Sequence, residues 1–536
     1  ANTTGHSNVA VGKDSLIANT EGDGNIAIGV DAMDENTTGG YNTGVGNESL
    51  HSNTTGCCNV SIGSGSLGQN TTADSNTAVG YVALGANTTG AGNTAVGANA
   101  LDSNTTGNNN IGVGAAAGSA ITTGSSNTAV GQNSLQATTT ASSNTAIGLN
   151  SLYTNTTGPD NTGVGKDALL VNTTGCRNVA VGSCALKANT TGVQNEAIGY
   201  IALGANTEGS CNVAIGSALG DNTTGGNNVG IGFIALSNNT TASNNIAVGK
   251  SALQENTTGA DMTAVGVNAM LTNTTGCRSV AFGNSALEDN TTGNHNVAIG
   301  RMAMRCNTEG VYNTAVGDQA LYVNTTGDSN IVVGANALDA NTTGDNNVAI
   351  GRQALSANTT ADDNTAVGMS ALLANTTGTG NVAVGTYTLD ANTEGDSNTA
   401  IGKQALSANT TADYNTAVGR QALFSNTTGT GNTAVGYESL KVNTTGGDNT
   451  AMGLCAMCST TTGSSNAAVG RRALTSNTTG VHNVAMGFNS LFATTTGLCN
   501  VGVGGGALQS NTTGCYNIGI GRFANCANLT SNSNTA

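Results

Sequence analysis

A five-residue phrase of the form Asn-Thr-Ala-Val-Gly returns 32 times along the chain, almost always at a spacing of 17 residues. Asn93-Thr94-Ala95-Val96-Gly97 is followed by Asn110-Ile111-Gly112-Val113-Gly114, and then by Asn127-Thr128-Ala129-Val130-Gly131. The phrase is in place at Asn8 and again at Asn534. A unit this short cannot enclose a core of its own, so each must stack on the next to bury anything. The 536-residue length alone would suggest several globular domains, and the repeat overrides that expectation.

Counted from its Asn, position 1 of the unit departs from Asn only at Met262 and Ser279. Position 2 is Val, Ile or Thr apart from Glu196 and Ala467, and position 3 is mostly Ala or Gly. Position 4 is Val or Ile apart from Phe282, Met452 and Met486, and position 5 is Gly in every complete copy. Positions 8 and 9 are mostly Ala-Leu, and positions 12 to 15 mostly Asn-Thr-Thr-Gly. Positions 6–7, 10–11 and 16–17 vary freely.

β-Branched residues alternating with a small one read as a short strand with one buried face, which places positions 2 and 4 inward. Leu at position 9 adds another inward side chain. Gly at positions 5 and 15 suits a backbone with positive φ. No stretch sustains helical periodicity before Gly or Asn-Thr interrupts it. The fold class is therefore all-β: a β-solenoid, either a parallel β-roll or a β-helix, with one 17-residue coil per repeat and about 32 coils. Residues 1–536 read as a single continuous array without separate caps or an anchor. At ~4.8 Å per stacked strand the array would be a rod on the order of 150 Å long. A one-residue slip near 217–221 shortens one spacing to 16. A strand inside a stack cannot lose a residue without turning over its faces, so the slip marks positions 6–7 as a surface turn.

Position 13 is Thr in every complete copy but the one with Leu529, whereas position 14 becomes Glu at Glu21, Glu208, Glu309 and Glu394. Position 14 thus faces solvent. The Asn columns at positions 1 and 12 and the Thr column at 13 read as side-chain ladders, each group bonding its equivalent one coil away. Two other readings remain open. Asn-Thr-Thr is an N-glycosylation acceptor, as at Asn104, Asn172, Asn324 and Asn426. A flat Thr array could also order water and bind ice, although Glu interrupts the outward column.

Composition removes several classes of function. The net charge of −16 and the scatter of 15 Lys+Arg leave no basic stripe for nucleic acid. No apolar run reaches the ~20 residues of a membrane-spanning helix. All 12 Cys and all four His fall in the variable pairs. Cys499 and Cys515 lie in successive coils at neighbouring positions, where a disulfide is feasible. Cys455-Ala456-Met457-Cys458 is a lone C-x-x-C, and an oxidising extracellular setting is expected. No catalytic triad, zinc-protease motif, phosphate loop or calcium-binding repeat stands out. The chain is expected to be no enzyme and to need no cofactor or metal.

The phrase Asn8-Val9-Ala10-Val11-Gly12 and copies such as Asn296-Val297-Ala298-Ile299-Gly300 resemble the head repeat of trimeric autotransporter adhesins. The fuller phrase, Asn426-Thr427-Thr428-Gly429 with Asn432-Thr433-Ala434-Val435-Gly436, is similar to repeats in phage tail fibres and bacterial surface proteins. The resemblance implies a left-handed parallel β-roll that associates as a homotrimer outside the cell. The adhesin-head repeat is shorter, at near 14 residues. The expected function is a structural fibre or filament shaft, extracellular, on a cell surface or on a virion. A multivalent adhesin binding cell-surface glycans is the alternative, and an ice-binding solenoid a minor one. The expected partner is a further copy of the chain, in a homotrimer or a head-to-tail filament, with no nucleic acid and no membrane insertion.

Overall fold

The computed structural model describes residues 2–536, and among them there is no helix. Contacts divide the chain into two compact units, Ala1–Met262 and Thr263–Ala536. Each is a parallel β-solenoid with one three-residue strand per 17-residue coil. The first unit carries β1 (Val9–Val11) through β15 (Ile246–Val248), and the second β16 (Thr263–Val265) through β31 (Ile518–Ile520). Within each unit successive strands pair in parallel, coil to coil, at a constant register. Thr94 stands beside Ile111, Ala95 beside Gly112 and Val96 beside Val113.

The strand faces are the reverse of the sequence expectation. Position 3, not positions 2 and 4, points inward: Ala95, Ala129 and Ala146 are fully buried, while Val96 and Ile147 stay 38% and 40% exposed. The reason is the width of the coil. Its interior is already occupied by position 8 and position 9 (Ala100 and Leu101) and by the Asn side chains of positions 1 and 12, all fully buried. Ala or Gly fits opposite them in nearly every coil, with Ser61 and Val332 as the larger exceptions. At Gly112 an added Cβ would already lie 2.8 Å from Leu101 Cγ. The β-branched columns are left to line the outside of the sheet.

The turns use a backbone that the residue types do not advertise. Positions 7, 9 and 17 adopt left-handed φ in nearly every coil, as at Asn99 (55°), Leu101 (49°) and Asn109 (57°). For Leu this costs about 1 kcal/mol per coil. The cost is offset because the turn aligns main-chain groups with both neighbouring coils. Leu101 N–H donates to Ala117 O at 2.9 Å, Asn99 N–H to Tyr81 O at 2.9 Å and Asn109 N–H to Ala91 O at 3.0 Å. Turn segments thus bond coil to coil much as the strands do.

Position 5 does need Gly. Gly97 has φ 137°, and a Cβ there would sit 2.5 Å from Gly114 O. Position 15 differs from the expectation: it has no positive φ, and its Gly answers only a close approach, as between Gly107 and Gly124 O. Ala replaces it at Ala73 and Ala141 and stays buried. At the slip, Gly216 and Ser217 make the turn with one residue fewer. Ala218 and Leu219 remain buried, and Val213 still pairs with Val229. The loss is absorbed outside the strand.

Candidate functional site

The Asn columns form two ladders in the interior, broken at position 12 by Ile121, Thr138, Thr460 and Thr494 and at position 1 by Met262 and Ser279. At position 12, Asn104 Nδ2 donates to Asn87 Oδ1 at 2.9 Å in the preceding coil and to Gly107 O at 3.1 Å in its own turn. At position 1, Asn93 Nδ2 donates to Gly107 O at 2.9 Å, and its Oδ1 accepts the Asn110 N–H at 2.8 Å. The Thr column works differently from the expectation of hydroxyl bonding hydroxyl. Thr105 Oγ1 donates at 3.1 Å to the main-chain carbonyl of Thr122, the oxygen that also accepts Thr105 N–H at 2.9 Å. Position 14 is exposed at Thr106 and at Glu208.

The four Asn singled out as glycan acceptors, Asn104, Asn172, Asn324 and Asn426, all lie in the position-12 ladder and are fully buried. The Nδ2 atom that would carry a sugar donates in each case to a neighbouring Asn and to a turn carbonyl. Cys499 and Cys515 both stand as free thiols, and Leu498 N–H donates to Cys515 Sγ at 3.4 Å. Cys455 and Cys458 are joined in a disulfide, since the left-handed residue at position 7 brings the Cα atoms of positions 7 and 10 to 4.9 Å. The other ten cysteines are free.

Polar chemistry lies on the turns and is dispersed. His51 pairs with Asp34, and His295 stacks on Tyr312 at 4.8 Å. Arg305 bridges Glu288 at 2.7 Å and the Tyr322 hydroxyl at 3.1 Å, contacts that hold its guanidinium protonated. A shallow groove in the first unit opens where Gly68 and Gly85 occupy position 10, beside His51, Gln69 and Asp102. Burial pushes the Asp102 carboxyl up, and its Oδ1 has no hydrogen-bond partner. Among the described residues no group of three or more His, Cys, Asp and Glu could hold a metal ion.

The largest organised surface is the outer face of each sheet. In the second unit positions 2 and 4 carry no charge in any of the strands β16 to β31. Ile331, Val333, Phe282 and Ile520 are 47%, 39%, 56% and 64% exposed. The first unit has one charge on this face, Glu196 in β12 (Glu196–Ile198), between Val179 and Val213.

A second pattern emerges when charge is counted by position. Nine of the 15 Lys+Arg stand at position 6, just past the strand, where the only acid is Asp318. Eleven of the 31 Asp+Glu stand at positions 16–17, just before it. Scattered along the chain, these cations are gathered by stacking on one edge within each unit. Aromatic residues join that edge, with Arg420 over Tyr437 and Arg471 over Phe488, each at 5.8 Å. Comparison of the chain with protein-family models and with curated proteins gives no match.

Proposed function

We propose that the chain is a structural shaft whose copies associate through the outer faces of their sheets, forming part of a stiff fibre outside the cell or on a virion. The observation that carries this reading is the exposed β-branched face. Of the 32 outward side chains on the sixteen strands of the second unit, 25 are apolar and seven are Thr; at roughly 45 Å² apiece the apolar ones leave on the order of 1,000 Å². A monomeric protein seldom exposes a contiguous apolar patch above about 600 Å². A stable protein interface takes about 800 Å² from each partner. The interior supports the same reading: it is uniform from coil to coil and bonded along the stack, as stiffness requires.

The test is the association state of the purified chain by light scattering, beside a variant carrying Ile331→Lys, Ile350→Lys and Ile401→Lys. These side chains point outward, so the solenoid should keep its circular dichroism while the assembly dissociates. A monodisperse monomeric wild type would refute the reading. The Arg420/Tyr437 and Arg471/Phe488 pairs favour a second reading, an adhesin that holds anionic glycans along the position-6 edge. Retention on an immobilised acidic polysaccharide, lost on Arg471→Gln, would support it.

A further inference from the structure

The two charged edges of the second unit flank its apolar face, and their signs are opposite. β21 (Val348–Ile350) is preceded by Asp345 and followed by Arg352. β24 (Thr399–Ile401) lies between Asp396 and Lys403, and β25 (Thr416–Val418) between Asp413 and Arg420. Asp328, Asp362 and Asp363 extend the acidic edge, and Arg471, Arg472 and Arg522 the basic one.

Neither edge is neutralised within the chain at these strands. Arg352, Lys403 and Arg420 are exposed, and among the described residues none makes a hydrogen-bonded ion pair. Arg352 reaches the sulfur of Met369, at 3.4 Å, and Arg420 the ring of Tyr437, with the Glu438 carboxylate near enough to feel its charge but not hydrogen-bonded to it. The aspartates are half-buried, and each spends one oxygen on a main-chain N–H of the preceding coil. Asp345 Oδ1 accepts from Asp328 at 2.7 Å, Asp396 Oδ1 from Thr379 at 2.7 Å and Asp413 Oδ1 from Asp396 at 2.8 Å.

We infer that the second unit docks against a second copy of itself with the stacking axes parallel and near the same height, so that the acidic edge of one copy meets the basic edge of the next. This rests on the shaft reading and adds its polarity. Two sheets laid face to face with parallel stacking axes run their strands in opposite directions. The entering end of one strand then meets the leaving end of its partner, and the same holds around a ring of copies. With antiparallel axes, entering ends would face each other, and the Asp column would meet the Asp column. Like charges at such close range are repulsive, and opposite ones steer and align the encounter. Acid and base share the coils of β21, β24 and β25, which sets the copies at near-equal height.

The test compares self-association of the full chain with two triple variants and their combination. One variant is Arg352→Gln, Lys403→Gln and Arg420→Gln. The other is Asp345→Asn, Asp396→Asn and Asp413→Asn. Asn retains the acceptor oxygen, as Asn294 Oδ1 shows by accepting Cys277 N–H at 2.7 Å, so the solenoid should stay intact by circular dichroism. Each triple variant should weaken association about tenfold. The combined variant should be no weaker than either, because the two edges act on each other. Added salt should weaken the wild type and leave the combined variant nearly unchanged. Full-strength association of both variants, or losses that simply add, would overturn the polarity and leave the shaft reading standing. A monomeric wild type would overturn both. If the cation variant lost only its retention on an acidic polysaccharide, the basic edge would be a glycan surface and the inference would fall.

Discussion

The position-12 ladder gives the sharpest quantitative expectation at Asn324, which has partners on both sides. Asn324 Nδ2 donates to Asn307 Oδ1 and to Gly327 O, both at 2.9 Å, and Asn341 Nδ2 donates to its Oδ1 at 2.9 Å. Asn324→Ala removes all three bonds, but its neighbours suffer unequally. Gly327 O keeps Asn313 Nδ2 at 2.8 Å, and Asn341 Nδ2 keeps Gly344 O at 2.9 Å. Asn307 Oδ1 loses its position-12 donor and is left buried. The orphaned buried acceptor costs about 2 kcal/mol, its lost bond included, and the two bonds lost by partners that stay satisfied about 0.5 each, so the expected cost is about 3 kcal/mol. In a stack, opening is local and a single unfolding midpoint is ill-defined. The suitable assay is hydrogen exchange at the amides of Thr308 and Thr325, which donate to the next coil at 3.0 and 2.9 Å. Their protection should fall about 100-fold, the equivalent of that energy. Thr326→Ala, at the exposed position 14, is the control and should change little. The mirror experiment is Thr460→Asn. Thr460 interrupts the ladder and leaves Asn443 Oδ1 without a partner. Restoring the amide should raise protection there about tenfold, near 1.4 kcal/mol. Equal effects of Asn324→Ala and Thr326→Ala, or a loss of protection in Thr460→Asn, would refute the ladder's energetic role.

Gly368→Ala combines a φ of 136° with a Cβ 2.5 Å from Gly385 O; a cost of about 2 kcal/mol or more is expected, read as local exchange or protease nicking beside that coil. Because burial raises the Asp102 carboxyl, ionisation opposes folding there. The penalty is full above the folded-state pKa and vanishes below the ordinary value of about 3.9. Asp102→Asn should therefore stabilise its coil at neutral pH and do nothing in strong acid; stabilisation confined to acid would contradict the assignment. Expression in a glycosylating host should leave Asn104, Asn172, Asn324 and Asn426 unmodified by peptide mass mapping, because their Nδ2 atoms are not free in the folded stack. A mass increase at these sites would mean that the sugar is attached before the coils close.

Much of the coil was legible in the sequence. The strict Gly at position 5, the Asn columns and the Thr/Glu contrast between positions 13 and 14 each correspond to a physical environment. The direction of the strand was not, because β-branched residues ordinarily mark a buried face. The signal lay in the tolerance of the columns: positions 2 and 4 admit Glu196, Phe282 and Met486, while position 3 rarely exceeds Ala. The left-handed turns were hidden because Leu at position 9 is a poor advertisement for positive φ; packing overrides its preference. The charged edges were invisible along the chain and appear only when residues 17 apart are read as neighbours.

Position 5 also bears on length. Each Gly touches the Gly of the following coil, and each coil bonds its neighbours through the same atoms. Excising or inserting one 17-residue repeat within either unit therefore joins surfaces that already fit. Chains that differ by whole repeats would differ in height by ~4.8 Å per coil. The slip at Ser217 shows how small a departure from whole repeats the stack accommodates. Shaft length can thus change in discrete steps without any new packing problem, while losing or gaining one residue inside a strand would invert its faces.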